Sequence, residues 1–253
     1  MSNRRAFSVQ SKLLASFVLL TIVGLAVSTA VGYMAARESL TASAERQLIG
    51  LQRSKAGIVK AMLTSMRNEV LAFSASEVVT QAAVALRSAH RDLQRVEVTP
   101  QMTEAVRRFH LEDYDPAVAK NLALTRAEGW SLPTSPSEWY LHYHYLTQAP
   151  KPYGVSRPLA APTDSSRYGA AVGEAEARLG SSMKRLGFEN VILVDPDTLE
   201  VFYSYEESAI LGTNLGNGPY ASSNLAALAR TLSTSKEVND YRVGDFEEYR
   251  PKL

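Results

Sequence analysis

Two absences limit the functions that this chain can have. The sequence contains no cysteine, which excludes disulfides, thiolate metal sites and cysteine nucleophiles. Its formal net charge is only +1, so we expect no basic surface of the kind that binds nucleic acid. The basic residues are unevenly placed, however, because Arg4, Arg5 and Lys12 all precede the first long apolar run.

Catalytic motifs are also lacking. The sequence has no phosphate-binding loop, no Gly-x-Ser-x-Gly elbow and no His-Glu-x-x-His pair. The segment 212–218 is rich in glycine but lacks the lysine of a phosphate cradle, which indicates a turn. Asp195 and Asp197 flank a proline, a pattern more typical of turn hydrogen-bond acceptors than of a catalytic pair. We therefore identify no catalytic residue and expect no cofactor.

A membrane span is predicted near the N-terminus. Residues 13–36 form an apolar run of 24 residues without a charge. As a helix this run would extend about 36 Å, enough for a bilayer core of roughly 30 Å. A buried core helix of this length would carry a polar face. A signal peptide cleaved near Ala26-Val27-Ser28 is the main alternative, but the apolar run continues past that site.

The basic residues before the span predict its orientation. By the positive-inside rule, the N-terminus is cytoplasmic and everything after about residue 37 lies outside the cytoplasm. We therefore expect a single-pass protein of the cell inner membrane, with its bulk in the periplasm.

A long helix is predicted to follow the span, with or without a kink near residue 75. No proline occurs from Glu38 to His90, and the spacing of apolar residues is mostly helical. This stripe consists of Leu48, Leu51, Ile58, Met62, Met66, Val70 and Phe73. The stripe predicts packing against the chain's own domain and pairing with a second copy in a homodimer. Gly24, Ser28 and Gly32, four residues apart, would also let two membrane helices approach closely.

The rest of the chain mixes helices with a hairpin. Seven prolines within residues 113–165 indicate loops with short helical turns. The predicted elements are two helical pieces in 84–109 broken at Thr99-Pro100, a helix from Asp164-Ser165 to Gly187, strands 191–194 and 201–205, a helix over 223–232, and strand and loop over 240–249. This order predicts an α+β fold, in which the long helix packs against an antiparallel sheet. With so few strands, the sheet is expected to be incomplete in this chain.

Aromatic side chains are the predicted ligand contacts, because small-molecule pockets are mostly apolar with a few placed polar groups. The ligand-binding candidates are Trp139, Tyr143, Tyr203, Tyr205 and Tyr220, with core packing as the alternative for each. The segment 139–145 also contains His142 and His144. On a strand these imidazoles would share a face, whereas on a helix they would diverge, and no metal site is predicted.

Several short motifs in the last third of the chain resemble those of the extracytoplasmic Cache (PAS-like) sensor domains. The motifs are Gly187–Asp195, Val201–Ser204, Gly212–Leu215, Gly218–Tyr220 and Asp245–Pro251. In these domains a Gly-Phe pair leads into the first central strand, and a Gly-Thr-Asn-Leu loop precedes a helix. Amino-acid-sensing members have an arginine two positions before a Trp-Tyr pair. Ser137 occupies that position here, so the resemblance does not extend to amino-acid sensing.

The resemblance implies the sensor portion of a bacterial transmembrane signal-transduction receptor that detects an unknown small molecule. Segments 114–117 and 139–145 are most similar to receptors linked to an adenylate or guanylate cyclase, which is therefore the expected output. A chemotaxis receptor, a sensor histidine kinase and a stand-alone anchored binding protein are the alternatives. The predicted organisation is a cytoplasmic N-terminus (1–12), a transmembrane helix (13–36), a long helical stalk region (37–110) and a PAS-like sensor domain that is truncated at its C-terminal end (111–253).

Overall fold

The computed structural model describes residues 9–122, 129–148, 159, 165–237, 239–245 and 247. The chain divides into two compact units, one that ends at Met66 and one that begins at Arg67. Three sets of residues used above lie outside the described ones: Arg4 and Arg5, prolines 150, 152, 158 and 162, and most of the motif 245–251.

Helix α1 extends from Val9 to Ser74 without interruption, which confirms the predicted long helix. It contains a segment long and apolar enough to cross a membrane. The hydroxyls of Ser16, Thr21 and Thr29 donate to carbonyl oxygens four residues earlier, so these polar groups in the apolar segment are satisfied within the helix. No residue of α1 is buried.

The second unit is mostly helical. After the end of α1, its helices are α2 (Glu77–Leu93), α3 (Pro100–Arg108), α4 (Asp115–Leu122), α5 (Pro136–Leu141), α6 (Arg167–Leu186) and α7 (Asn224–Ser233). Five of them begin at a serine or threonine whose hydroxyl accepts the N–H three residues later, which satisfies one of the free donors of the first turn. These caps are Ser76, Thr99, Ser135, Ser166 and Ser223.

Two π-helical turns interrupt the α-helical geometry. Turn π1 (Phe109–Tyr114) lies between α3 and α4, and turn π2 (His142–Thr147) directly follows α5. The chain is therefore helical throughout 100–122 and again throughout 136–147. A π turn accommodates an extra residue in a helix and is frequent at functional sites.

The sheet is a two-stranded antiparallel hairpin, β1 (Ile192–Val194) and β2 (Val201–Ser204), as predicted. Ile192 pairs with Ser204 and Val194 with Val201, with an irregularity before Val194. The predicted strand within 240–249 is wrong for the part of it that the structure describes, because residues 240–245 and 247 are not in a strand.

The main core lies between α2, α5, π2, α6 and β2. Its buried apolar side chains include Leu86, Val172, Leu179, Met183 and Phe202. Within the second unit, α2 packs against both β2 and α6, and Phe73, in the last turn of α1, packs against the same core. The α+β class is confirmed.

Candidate functional site

Asp195 and Asp197 fasten the hairpin to α2. Asp195 Oδ1 accepts the N–H of Asp197 at 2.9 Å, which confirms its predicted role as a turn acceptor. Arg87 donates from Nε to Asp195 Oδ2 at 2.6 Å and from Nη2 to Asp197 at 2.5 Å. Burial tends to raise the pKa of Asp195, but these hydrogen bonds and the guanidinium charge hold it below its ordinary value. The pair is therefore structural.

Four tyrosines and one glutamate meet between α6 and the hairpin, and we name this group the tyrosine cluster. Tyr203 lies in β2 and Tyr205 follows directly after the last residue of that strand, and both belong to the main core. Tyr168 and Glu176 come from α6. Tyr145, from π2, contacts Tyr168 edge-on with ring centroids 5.8 Å apart. Three separate elements therefore contribute to one buried polar group.

Three oxygen atoms of the tyrosine cluster are buried and have no hydrogen-bond partner within the part of the chain that the structure describes: Tyr145 Oη, Tyr203 Oη and Glu176 Oε2. By contrast, Tyr168 Oη donates to the carbonyl of Phe202 at 2.7 Å. Burial raises the pKa values of Tyr145, Tyr203 and Glu176, so each favours its neutral form more than usual. An unpaired buried polar group costs about 1–3 kcal/mol of stability.

The five predicted ligand residues do not form one site. Tyr203 and Tyr205 lie together in the tyrosine cluster, whereas the hydroxyl of Tyr220 is 2.6 Å from that of Tyr114, in a second aromatic group with Trp130. Tyr143 is half-buried, and its hydroxyl accepts from Gln101 at 3.4 Å. Trp139 is half-buried in α5.

A chain of four hydrogen bonds crosses the interior beside π1 and π2, and we name it the histidine chain. His142 Nε2 is 2.8 Å from the carbonyl oxygen of Leu211, and His142 Nδ1 is 2.9 Å from His110 Nε2. His110 Nδ1 is 2.6 Å from Ser131 Oγ, which also bonds to Asp115 Oδ1. The two imidazoles are stacked, with centroids 5.0 Å apart.

The two imidazoles and the serine of the histidine chain lie away from water, whereas Asp115 is half-buried. His110 and His142 are fully buried and Ser131 is almost so. Burial lowers the pKa of His142 to about 4 and, together with the neighbouring imidazole, lowers that of His110 further. Burial also raises the pKa of Asp115, whose Oδ2 has no hydrogen-bond partner among the described residues. These shifts favour uncharged side chains throughout the chain.

His142 and His144 point to different partners, as expected on a helix. His142 belongs to the histidine chain, whereas the ring of His144 lies 4.3 Å from that of Tyr140. Among the residues that the structure describes, no group of three or more His, Asp or Glu side chains is arranged to hold a metal ion.

One further buried acid lies next to the histidine chain. Glu138 is 1% exposed, and its Oε2 accepts from the N–H and the hydroxyl of Thr134 at 2.7 and 3.2 Å. Its Oε1 is buried and has no hydrogen-bond partner among the residues that the structure describes. Burial raises the pKa of Glu138 to about 7. Its Cα lies so close to Gly212 that a Cβ there would approach it to 3.0 Å.

An apolar groove of about 570 Å³ lies between α2, the hairpin and α7. Its lining includes Val84, Ile192, Val194, Phe202, Leu225 and Leu232. None of the five predicted ligand residues lines it, so the groove and the tyrosine cluster are separate features.

Sequence reasoning missed the groups that give these sites their polar character. Glu176 carried a readable signal, because it lies on the apolar face of α6 that Val172 and Leu179 define. His110 carried none, since its partner His142 is 32 residues away. Comparisons with protein-family models, curated proteins and solved structures found no match to this chain.

Proposed function

We propose that this chain is the extracytoplasmic sensor portion of a bacterial transmembrane receptor, anchored in the inner membrane by α1. The observation that carries the proposal is the continuity of α1. One helix contains a segment able to cross a membrane and ends at Ser74, within the compact unit that begins at Arg67. A small shift or rotation of such a helix is a known way to pass a signal across a bilayer, and a coupling of about 1–3 kcal/mol is sufficient.

Orientation can be tested with single cysteines, because the chain has none of its own. In spheroplasts, a membrane-impermeant maleimide should label Ser54→Cys and Ser181→Cys, both at exposed positions. Ser2→Cys should react only after the membrane is permeabilised. The opposite labelling pattern would place the folded unit in the cytoplasm and end the proposal.

The apolar stripe of α1 supports the proposed homodimer. Leu51, Ile58 and Met62 are 54%, 64% and 59% exposed. Two copies inserted in the same orientation bring these helices alongside each other in parallel, which is the arrangement of a coiled-coil pair. Bifunctional cross-linkers should join two copies through Leu51→Cys or Ile58→Cys. Arg53→Cys, on a different face, is the control, and equal cross-linking at all three positions would contradict a defined pairing.

The tyrosine cluster is the proposed ligand site, because its unpaired buried hydroxyls can exchange hydrogen bonds with a small polar molecule. A thermal-shift screen of the full chain in nanodiscs should yield compounds that raise the unfolding temperature. Tyr203→Phe should abolish that shift, whereas Tyr143→Phe, outside the cluster, should retain it.

Without ligand, Tyr203→Phe should be neutral or slightly stabilising, because the hydroxyl it removes is unpaired. Tyr168→Phe should instead cost about 1 kcal/mol, since it removes the hydrogen bond to Phe202. A ligand-induced shift that survives Tyr203→Phe would exclude the cluster as the binding site.

The Cache-like motifs are the basis for proposing an adenylate or guanylate cyclase as the output. The chain itself contains no cyclase motif, so this part of the proposal depends on the resemblance alone. Sequencing the downstream reading frame tests it, and a methyl-accepting or kinase domain there would replace the cyclase.

A further inference from the structure

The histidine chain has hydrogen-bond acceptors at both of its ends. One end is the carbonyl oxygen of Leu211, which cannot donate. The other end is the carboxyl group of Asp115, which can only accept hydrogen bonds when it is ionised. Between them lie Ser131, His110 and His142, so that four hydrogen bonds connect five groups.

Four hydrogen bonds require four protons, and the neutral side chains supply only three. Ser131 has one hydroxyl proton, and a neutral imidazole has one N–H on each of His110 and His142. If Asp115 is ionised and both imidazoles are neutral, one of the four contacts therefore brings two lone pairs together with no proton between them. The observed spacings of 2.6, 2.9 and 2.8 Å are those of complete hydrogen bonds.

We propose that the histidine chain is a proton-binding site. It holds one proton more than it would have with Asp115 ionised and both histidines neutral. In one arrangement Asp115 is a carboxylic acid that donates to Ser131, which donates to His110, which donates to His142, which donates to Leu211. In the other, one imidazole is protonated and Asp115 is a carboxylate. Both arrangements complete all four bonds and leave the group with no net charge.

The surroundings favour the first arrangement. Burial raises the pKa of the half-buried Asp115, against the lowering effect of hydrogen bonds from Ser131 and from the backbone of Gly129, and it lowers the pKa values of both fully buried histidines. Two titratable groups lie close to the histidine chain: Tyr114 contacts His110 edge-on and is hydrogen-bonded to Tyr220, and Glu138 lies beside Gly212. The exposed charged groups of α3, π1 and α4 are Glu104, Arg107, Arg108, Glu112 and Lys120, and Asp113 is half-buried.

The bound proton links the fold to pH. An unfolded chain above about pH 7 has Asp115 ionised and both histidines neutral, so it holds no extra proton. The folded chain holds one. Folding therefore takes up one proton, and the folding equilibrium constant falls about tenfold for each unit that the pH rises, until the chain itself releases the proton. This linkage is independent of any ligand in the tyrosine cluster.

Asp115→Asn provides a specific test, because an amide can donate to Ser131 through its Nδ2–H and complete all four bonds without an extra proton. Denaturant unfolding of the full chain in detergent, followed by tryptophan fluorescence, gives the folding constant between about pH 7 and 8.5. The ratio of the variant's folding constant to the wild type's should rise about tenfold per pH unit. Glu112→Gln, on the same helical segment but exposed, should show a constant ratio.

A spectroscopic measurement decides the question even if Asp115→Asn does not fold. The chain has only four histidines, so ¹⁵N-histidine labelling reports the protonation of each imidazole. With ¹³C-aspartate labelling, infrared spectroscopy of the folded wild type should show a protonated aspartic acid, a signal that the buried acids Glu138 and Glu176 cannot give, or the ¹⁵N spectra should show one buried imidazolium. Either result supports the proposal. Fully ionised aspartates with His110 and His142 both neutral at pH 7, or a pH-independent ratio for Asp115→Asn, would overturn it.

Discussion

Glu138→Gln should stabilise this protein at alkaline pH and leave it unchanged in acid. Glutamine has the shape of a protonated glutamate, and its amide oxygen can accept the two hydrogen bonds from Thr134. The substitution therefore fixes the side chain in the uncharged form that its buried position favours.

The magnitude follows from the pKa of Glu138, which burial raises from 4.5 to about 7. Because the folded state holds this proton more tightly than the unfolded chain, the stability due to this group is complete below pH 4.5. It is lost as the pH rises through about 7. Between about pH 5 and pH 8 the loss amounts to about 2.5 kcal/mol. For a unit of this size that is about 5–10 °C in Tm.

The assay is thermal unfolding of the full chain in detergent, followed by tryptophan fluorescence at several pH values. The Tm difference between Glu138→Gln and the wild type should grow from near zero below pH 5 to about 5–10 °C at pH 8. Glu97→Gln, at an exposed position, is the control and should show no such trend. A difference that does not depend on pH would refute the reasoning that Glu138 is a buried acid with a raised pKa.

Three other substitutions test separate contacts. Arg87→Ala removes the main partner of a buried carboxylate and should cost about 1–3 kcal/mol in urea unfolding, whereas a loss below about 0.5 kcal/mol would contradict the pairing. Gly212→Ala should lower Tm more than Gly187→Ala. Both residues have positive φ, but only at Gly212 would a Cβ approach backbone, at 3.0 Å, so equal losses would argue against close packing there. Burial lowers the pKa of His90 to about 4, so stability falls as the pH drops from about 6.5 towards 4, and His90→Leu should recover about 2 kcal/mol near pH 5. If the stability of His90→Leu fell with decreasing pH as steeply as that of the wild type, the lowered pKa of His90 would be refuted.

The parts of the fold that were predictable depend on local signals. The long helix followed from an apolar run and a proline-free stripe. The end of α6 followed from Gly187, whose φ of +68° suits the left-handed position after a helix, whereas its start was predicted at Asp164-Ser165 and the observed cap is Ser166. The hairpin followed from two β-branched runs around the Asp195 turn.

The interior polar groups were not predictable, because they depend on contacts between distant residues. His110 meets His142 across 32 residues, and Arg87 meets Asp195 across 108. The π turns have no compositional signature, since their only requirement is one residue more than an α-helix would use. Tyr203 and Tyr205 were selected for their aromatic character, but Glu176 and Tyr145 complete the cluster only after α6 and π2 pack against the hairpin.

The π1 turn makes the length of this segment as important as its composition. Removing one residue from 109–114 would take out the extra residue that the π turn accommodates. The same deletion would rotate the helical parts on either side of it by about 100° relative to each other. The side chain of Asp115 would then no longer lie on the side of the helix that His110 faces. Homologues that keep the histidine chain should therefore align through this stretch without a gap, even where most of its side chains differ.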